Sequence, residues 1–287
     1  MSKTIALLTD FGTEDIYDGV MKGVIKSISP NATLIDITHS IAPQHVRQAA
    51  FALLNSYRYF PNGTIFMVVV DPGVGTARLP IAVQAGNYIF VAPDNGVLAY
   101  ALSNFPNKRV YEIANTEYRL PIVSNTFHGR DIFSPAVAHL ANGVPIEKLG
   151  PELADVIQLP MPELTVQEDQ IDGEVMHIDR FGNIITSIGE LHWIETNRLV
   201  LSPIFGDVKS NVPIESSHAR ITVNDTEIFG IRVSYAESVR GDLLALVGSS
   251  SYLEIAVNQG NAAQRLNVSV GDRVQISLGE FDATVRN

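Results

Sequence analysis

The sequence predicts two domains of different class: an N-terminal α/β sandwich domain over residues 1–155 and a C-terminal all-β, barrel-like domain over 171–287. A linker at 156–170 joins them. Three observations predict this. The first half alternates short apolar runs with helically spaced stretches. Several of those runs are apolar on both faces, as in a sheet covered by helices on each side. The second half instead shows short β-like segments separated by turns.

Residues 5–8 form a buried-strand pattern ended by Thr9-Asp10-Phe11-Gly12. Val20, Met21, Val24, Ile25 and Ile28 then recur at helical spacing. Residues 34–37 read as a second strand, and 46–59 as a helix stopped by Pro61-Asn62-Gly63. Residues 65–70 are a continuous apolar strand ended by Asp71-Pro72-Gly73. Residues 81–85 and 88–91 flank Gly86-Asn87, a hairpin signal. Pro93-Asp94-Asn95-Gly96 is a turn, 97–102 begins a helix, and 133–142 is the last helical stretch. Ligands of such sheets bind beyond the carboxyl ends of the strands, where Asp10 and Asp71 fall. Residues 151–162 are rich in proline and acid and read as linker. Beyond them, 173–178, 184–188, 220–223, 243–247, 253–256 and 273–278 read as strands, with a hint of helix at 258–265.

The 287 residues are 46% hydrophobic and 18% charged, enough for a core and too little charge for a disordered chain. Lys+Arg 20 against Asp+Glu 31 gives a net charge of −11, which repels phosphate backbones, so no nucleic-acid partner is expected. A small cationic or zwitterionic ligand is compatible with that charge. Without cysteine there are no disulfides, Cys-ligated zinc, iron–sulfur clusters or thiol catalysis. The apolar runs are too short for a signal peptide or a membrane helix, which predicts a soluble, cytoplasmic chain with no membrane partner.

Four turn segments concentrate acid, histidine, arginine and glycine: 9–12, 71–78 (Asp-Pro-Gly-Val-Gly-Thr-Ala-Arg), 127–131 (Phe-His-Gly-Arg-Asp) and 179–183 (Asp-Arg-Phe-Gly-Asn). Asp10-Phe11-Gly12 has no kinase loops before it, so the kinase reading fails. Gly73-Val74-Gly75-Thr76 lacks the Lys-Ser/Thr pair of a phosphate loop. Alone, each of these segments is a turn, His128 is one of seven histidines, Asp94-Asn95-Gly96 is a turn signal, and Trp193 is core.

Read in order, the segments are more specific. Together with Asp36-Ile37-Thr38-His39, Pro93-Asp94-Asn95-Gly96 and the block 249–256 (Ser-Ser-Ser-Tyr-Leu-Glu-Ile-Ala), they resemble the S-adenosyl-L-methionine (SAM) hydroxide adenosyltransferases, SAM hydrolases related to the fluorinase and chlorinase. The resemblance spans nearly the whole chain. It implies hydrolysis of SAM to adenosine and L-methionine without metal or cofactor, in a homotrimer whose sites lie between subunits. It puts Asp71, Arg78 and His128 on a water-handling triad and Asp10 on the ribose diol. It puts Asp179 and Ser249 at the methionine portion and Asn183 and Tyr235 at adenine, and it adds Glu254 and Val257 to the substrate-binding set. Asp71 and Gly129 stand where the fluorinase has a tyrosine and a halide-binding serine, which points to hydroxide chemistry. The alternatives are a SAM-dependent halogenase, a metal-dependent phosphoesterase using Asp10, Asp71, Asp94, His128 and Asp131, and a non-catalytic SAM or adenosine sensor.

Overall fold

Side chains alternate between two buried faces along the central strands of the first half, and this sets its layering. The computed structural model describes residues 3–206 and 211–278. The chain divides into two compact units, Met1–Leu159 and Pro160–Asn287. In the first, β1 (Thr4–Thr9), β2 (Thr33–Thr38), β3 (Ile65–Val69), β4 (Pro80–Ala85), β5 (Tyr88–Pro93), β6 (Lys108–Glu112) and β7 (Glu152–Leu153) form one sheet. Its order is β2-β1-β3-β5-β4-β6-β7. β2, β1, β3 and β5 run parallel, and β4 is antiparallel to both β5 and β6.

The odd-numbered residues Ile5, Leu7, Ile65, Met67, Val69 and Val91 pack on Met21 and Ile25 of α1 (Tyr17–Ile28) and on Ala136 and Val137 of α4 (Ser134–Ala141). On the opposite face, Phe66 stacks on Phe90 at 5.1 Å beside Tyr57 and Tyr88. Tyr57 follows α2 (Val46–Ser56), which packs on the short α3 (Ala99–Leu102). Period-two burial on both faces is the signature of a sheet covered on each side. The sequence-predicted hairpin turns at Gly86 (φ +54°), but β5 inserts beside β3, so β4 lies one strand further out. β6 and β7 carry too little apolar alternation to be read in advance.

The second unit contains β8 (Leu164–Val166), β9 (Gln170–Ile178), β10 (Ile184–Gly189), β11 (Leu191–Glu195), β12 (Arg198–Leu201), β13 (Val212–Glu215), β14 (Arg220–Val223), β15 (Thr226–Phe229), β16 (Ile231–Arg232), β17 (Leu243–Val247), β18 (Tyr252–Val257) and β19 (Arg273–Ser277). The main sheet runs β15-β14-β19-β9-β10-β18-β17-β16, with β8 also on β9. β15 comes alongside β17 near the far end, so the sheet curls into a nearly closed barrel. β11, β12 and β13 form a separate three-stranded sheet. β8 lies inside the stretch read as linker. It is three residues long and carries no legible period, yet it pairs with Ile171–Gly173. The helix hinted at 258–265 is α5 (Ala262–Leu266), which starts later because the Asn261 side chain caps it by accepting from Gln264 N–H. Among the described residues, no helix is long and apolar enough to cross a membrane.

Candidate active site

Asp10 and Asp71 follow adjacent parallel strands, β1 and β3, so the sheet delivers both to one edge. The Asp71–Arg78 loop then folds back on itself. Val74 N–H bonds the Asp71 carbonyl, and Thr76 bonds the Gly73 carbonyl through both its N–H (3.1 Å) and Oγ1 (2.6 Å). Gly75 has φ +77°, and a Cβ there would run into the Asn125 carbonyl. The fold-back brings Arg78 Nε 2.9 Å from Asp71 Oδ1, while Arg78 Nη2 donates to Asp71 Oδ2. The two side chains are only 8% and 6% exposed. The guanidinium also lies 5.4 Å above the Phe133 ring.

Arg78 Nη2 has a second partner, His128 Nδ1, at 2.7 Å. A guanidinium can only donate, so Nδ1 carries the lone pair and the ring proton sits on Nε2. Burial, and then the Arg78 charge, hold the His128 pKa below the ordinary histidine value, so the imidazole is neutral. Asp71, Arg78 and His128 are thus one hydrogen-bonded set. The sign of its pH response follows. Acid protonates Nδ1 and sets two cations against each other, whereas alkali leaves the ring as it is. We expect kcat/KM to be flat through neutral pH and to fall on the acid side with a midpoint below 6.5, measured across pH 4.5–8.5. A midpoint above 6.5 would contradict the neutral tautomer.

His128 stands at the start of a π-type turn, Gly129–Phe133, that leads into α4. Such turns displace one residue from a regular helix and recur at functional sites. Asp131 organises the segment. Fully buried, it accepts from Ser124 N–H (2.8 Å) and from Arg130 Nε (2.6 Å). Burial works to raise its pKa, but the bonds to Arg130 and Ser124 outweigh it and hold the carboxylate ionised. Asp131 is thus a support for the His128 loop. Nothing in the Phe-His-Gly-Arg-Asp motif itself announces that support. Asp10 Oδ2 accepts Gln44 N–H at 2.7 Å, which ties the loop after β1 to the one after β2. Gln44 itself is left-handed, with φ +66°. The acids and histidine proposed for a metal-dependent phosphoesterase are not assembled. Asp71 faces Arg78, Asp94 accepts Ile157 N–H, and Asp131 faces Arg130.

In the second unit, Asp179 Oδ1 accepts Phe181 N–H (2.8 Å) and Asn183 N–H (2.9 Å), and Oδ2 accepts Asn183 Nδ2 (3.0 Å). Its carboxylate therefore shapes the 179–183 loop. Asn183 Nδ2 donates again to Tyr235 Oη at 3.3 Å, and Tyr235 donates to Glu254 Oε1. Burial and the Glu254 bond push the Tyr235 phenol well above its usual range, so it remains a donor. Burial raises Glu254, against its bond from Tyr235, and Asp179 adds to the rise. Four sequence-predicted residues thus meet: Asp179, Asn183, Tyr235 and Glu254. Ser249 is exposed in the β17–β18 turn, and Val257 is buried at the end of β18. Neither makes a side-chain contact with that cluster among the hydrogen bonds of the described residues.

One unit is an α/β sheet with a carboxylate–guanidinium–imidazole set at its strand ends, the other a barrel carrying an Asp–Asn–Tyr–Glu cluster, and each has the polar chemistry of a small-molecule enzyme. The chain belongs to the SAM hydroxide adenosyltransferase family: the N-terminal domain of that family matches residues 5–150 and its C-terminal domain matches 173–275. Among its relatives is the (R)-S-adenosyl-L-methionine hydrolase of Thermus thermophilus, 36% identical, with 96% of this chain and 99% of that protein covered. A crystal structure of an uncharacterized conserved protein from Thermotoga maritima is also similar. Its TM-score is 0.83 and its identity 37%, over 95% of this chain and 99% of that one. A fluorinase from Actinopolyspora mzabensis is more distant, at 29% identity over 95% and 96%.

Proposed function

We infer that this chain hydrolyses S-adenosyl-L-methionine to adenosine and L-methionine by attack of water at the ribose 5′ carbon. The Asp71–Arg78–His128 set carries the reading, because it joins a proton acceptor, a fixed cation and a neutral imidazole in one hydrogen-bonded set at the strand ends. As the carbon–oxygen bond forms, the carbon–sulfur bond breaks and its electron pair goes to sulfur. The sulfonium leaves as a neutral thioether, so the leaving group needs no acid. The nucleophile needs help: it must be aligned and must lose a proton. Arg78 occupies two of the roughly four acceptor positions on Asp71, and the others are free to orient the water and take its proton. Arg78 stabilises hydroxide-like charge, and His128, whose Nδ1 accepts from Arg78 Nη2, fixes the guanidinium in place. Such alignment contributes about 7–11 kcal/mol when it is near ideal.

Asp10 keeps lone pairs for two adjacent ribose hydroxyls beyond the one given to Gln44. Asn183 commits its amide N–H groups to Asp179 and Tyr235, so it offers a ligand its carbonyl oxygen, an acceptor suited to the amino group of adenine. Ser249, Glu254 and Val257 complete the substrate-binding set in this reading. The (R) sulfonium epimer, which the names of the hydrolase relatives specify, is the substrate to test first.

The test is incubation with SAM in ¹⁸O-labelled water and chelator, with products read by mass spectrometry. The expected products are adenosine labelled at its 5′ oxygen and free methionine, with activity unaffected by the chelator. Bound ligand without product would favour the sensor, loss of activity on chelation the metal enzyme, and a 5′-halo-adenosine the halogenase. The reading includes a cytoplasmic homotrimer in which two copies complete each site. Co-expressing Asp71→Asn and Tyr235→Ala subunits, each inactive alone, is then expected to restore about a quarter of the activity, since one random pairing in four joins two intact halves. No restoration in mixed oligomers would sink the shared-site arrangement.

A further inference from the structure

The Asp94-Asn95-Gly96 turn has so far no role. It sits against both ends of the Asp71–Arg78 loop. Asn95 Nδ2 donates to the Val70 carbonyl at 2.8 Å, and Asp94 N–H donates to the Leu79 carbonyl at 2.8 Å. Val70 immediately precedes Asp71, and Leu79 immediately follows Arg78. One turn therefore clamps the two chain positions from which the ion pair is built.

The register explains why a side chain is needed. β3 and β5 pair as Ile65–Ile89, Phe66–Phe90 and Met67–Val91. Ile89 N–H bonds the Thr64 carbonyl, so the same ladder continued would offer the Val68 carbonyl to Pro93, which has no N–H, and the Val70 carbonyl to Asn95 N–H, which bonds the Pro93 carbonyl instead at 3.0 Å. The backbone ladder runs out where the chain must be held for Asp71. Val70 is fully buried, so its carbonyl needs a partner from within the protein. The Asn95 amide supplies it. That amide is itself fixed, because Oδ1 accepts Val97 N–H at 3.1 Å. Gly96 completes the turn at φ +90°, where a Cβ would lie 2.7 Å from Leu159 Cγ.

We propose that Asn95 is a positioning residue for the hydrolysis: it holds the Val70 carbonyl, and through it sets Asp71 where Arg78 can bridge it to His128. The kinetic consequence rests on the hydrolase reading, whereas the structural one does not.

The decisive variant is Asn95→Asp. It keeps an acceptor for Val97, so the turn survives, but it sets a carboxylate oxygen against the Val70 carbonyl. Steady-state kinetics on SAM are measured alongside the Arg78 Nε–H resonance of deuterated, ¹⁵N-labelled protein, assigned by its loss in Arg78→Lys. The expected result is a kcat lower by about tenfold to a hundredfold, a KM within about threefold of wild type, and a shifted or broadened Arg78 resonance. A kcat within about threefold of wild type would overturn the proposal. So would a large kcat loss with the Arg78 resonance unmoved, because the effect would then arise elsewhere. Should the carboxylate variant not fold, Asn95→Ser, which keeps a short acceptor for Val97 and cannot reach Val70, is read by the same criteria. A wild-type protein that forms no adenosine would remove the hydrolase reading while the Arg78 resonance still decides the clamp.

Discussion

Asp71→Asn is expected to lower kcat by a factor of about 10²–10⁴ while SAM binding changes by less than about tenfold. The amide is nearly the same size, so the loop has no steric reason to move. Its chemistry differs in two ways. It cannot take a proton from water, and its NH₂ group points a donor at a guanidinium that can only donate. Arg78 then keeps a buried charge with no counter-charge and one of its two bonds to residue 71 lost, and breaking a buried pair in this way costs about 3–5 kcal/mol. The thermal midpoint should therefore fall together with turnover. Single-turnover kinetics separate the two effects: they read the chemical step at a temperature where the variant is still folded. An unchanged single-turnover rate would remove Asp71 from the reaction. A loss confined to the melting temperature would make the ion pair purely structural.

The parts of this site that a sequence reader can see are those at strand ends. Asp10 and Asp71 announce themselves because each closes an apolar run, and in a parallel sheet that position is where ligands bind. The fold-back that joins Arg78 to Asp71 is less legible. It depends on Gly75 adopting φ +77° against the Asn125 carbonyl, a contact between segments fifty residues apart. His128 could be named but its state could not, because the neutral tautomer follows from a single 2.7 Å contact with Arg78. Asn95 reads as turn punctuation, which it is. Its second use needs the β3–β5 register and the place of Pro93 in it, and composition carries neither. In the second unit, β14, β17 and β18 carry enough alternation to be found, whereas β8 and β16, with three and two residues, are held by pairing partners alone. The Asn183–Tyr235–Glu254 chain has no local signature, since its members come from a loop, a single helical turn and a strand; the resemblance alone groups them.

Gly129→Ser, which installs the serine that the resemblance implies for the fluorinase at this position, is expected to abolish most hydrolysis and yield no halogenated product. The reason is space. Gly129 is buried, and a Cβ there would lie 2.9 Å from Met21 Sδ, 3.1 Å from Phe127 Cε2 and 3.4 Å from Phe11 Cε2. Met21 ends in a flexible thioether that can yield in part. Phe127 cannot yield easily, because its ring is wedged edge-on against Phe11 (5.8 Å) and Tyr17 (5.1 Å). The strain therefore passes along the chain to His128, which lies between Phe127 and Gly129, and the 2.7 Å contact with Arg78 opens. Overpacking of this kind costs about 1–3 kcal/mol in stability. A displacement of about 1 Å at a reacting geometry costs about a hundredfold in rate. Met21→Ala combined with Gly129→Ser makes room for the hydroxymethyl group and should recover about tenfold of the lost turnover, in excess of the sum of the two single effects. A double variant no faster than Gly129→Ser alone would mean that the hydroxyl, and not its volume, disables the site. Formation of 5′-chloro- or 5′-fluoro-adenosine by either variant in the presence of halide would show that Gly129 alone separates the two chemistries, and that the negative charge of Asp71 is no barrier to a halide at the reacting carbon.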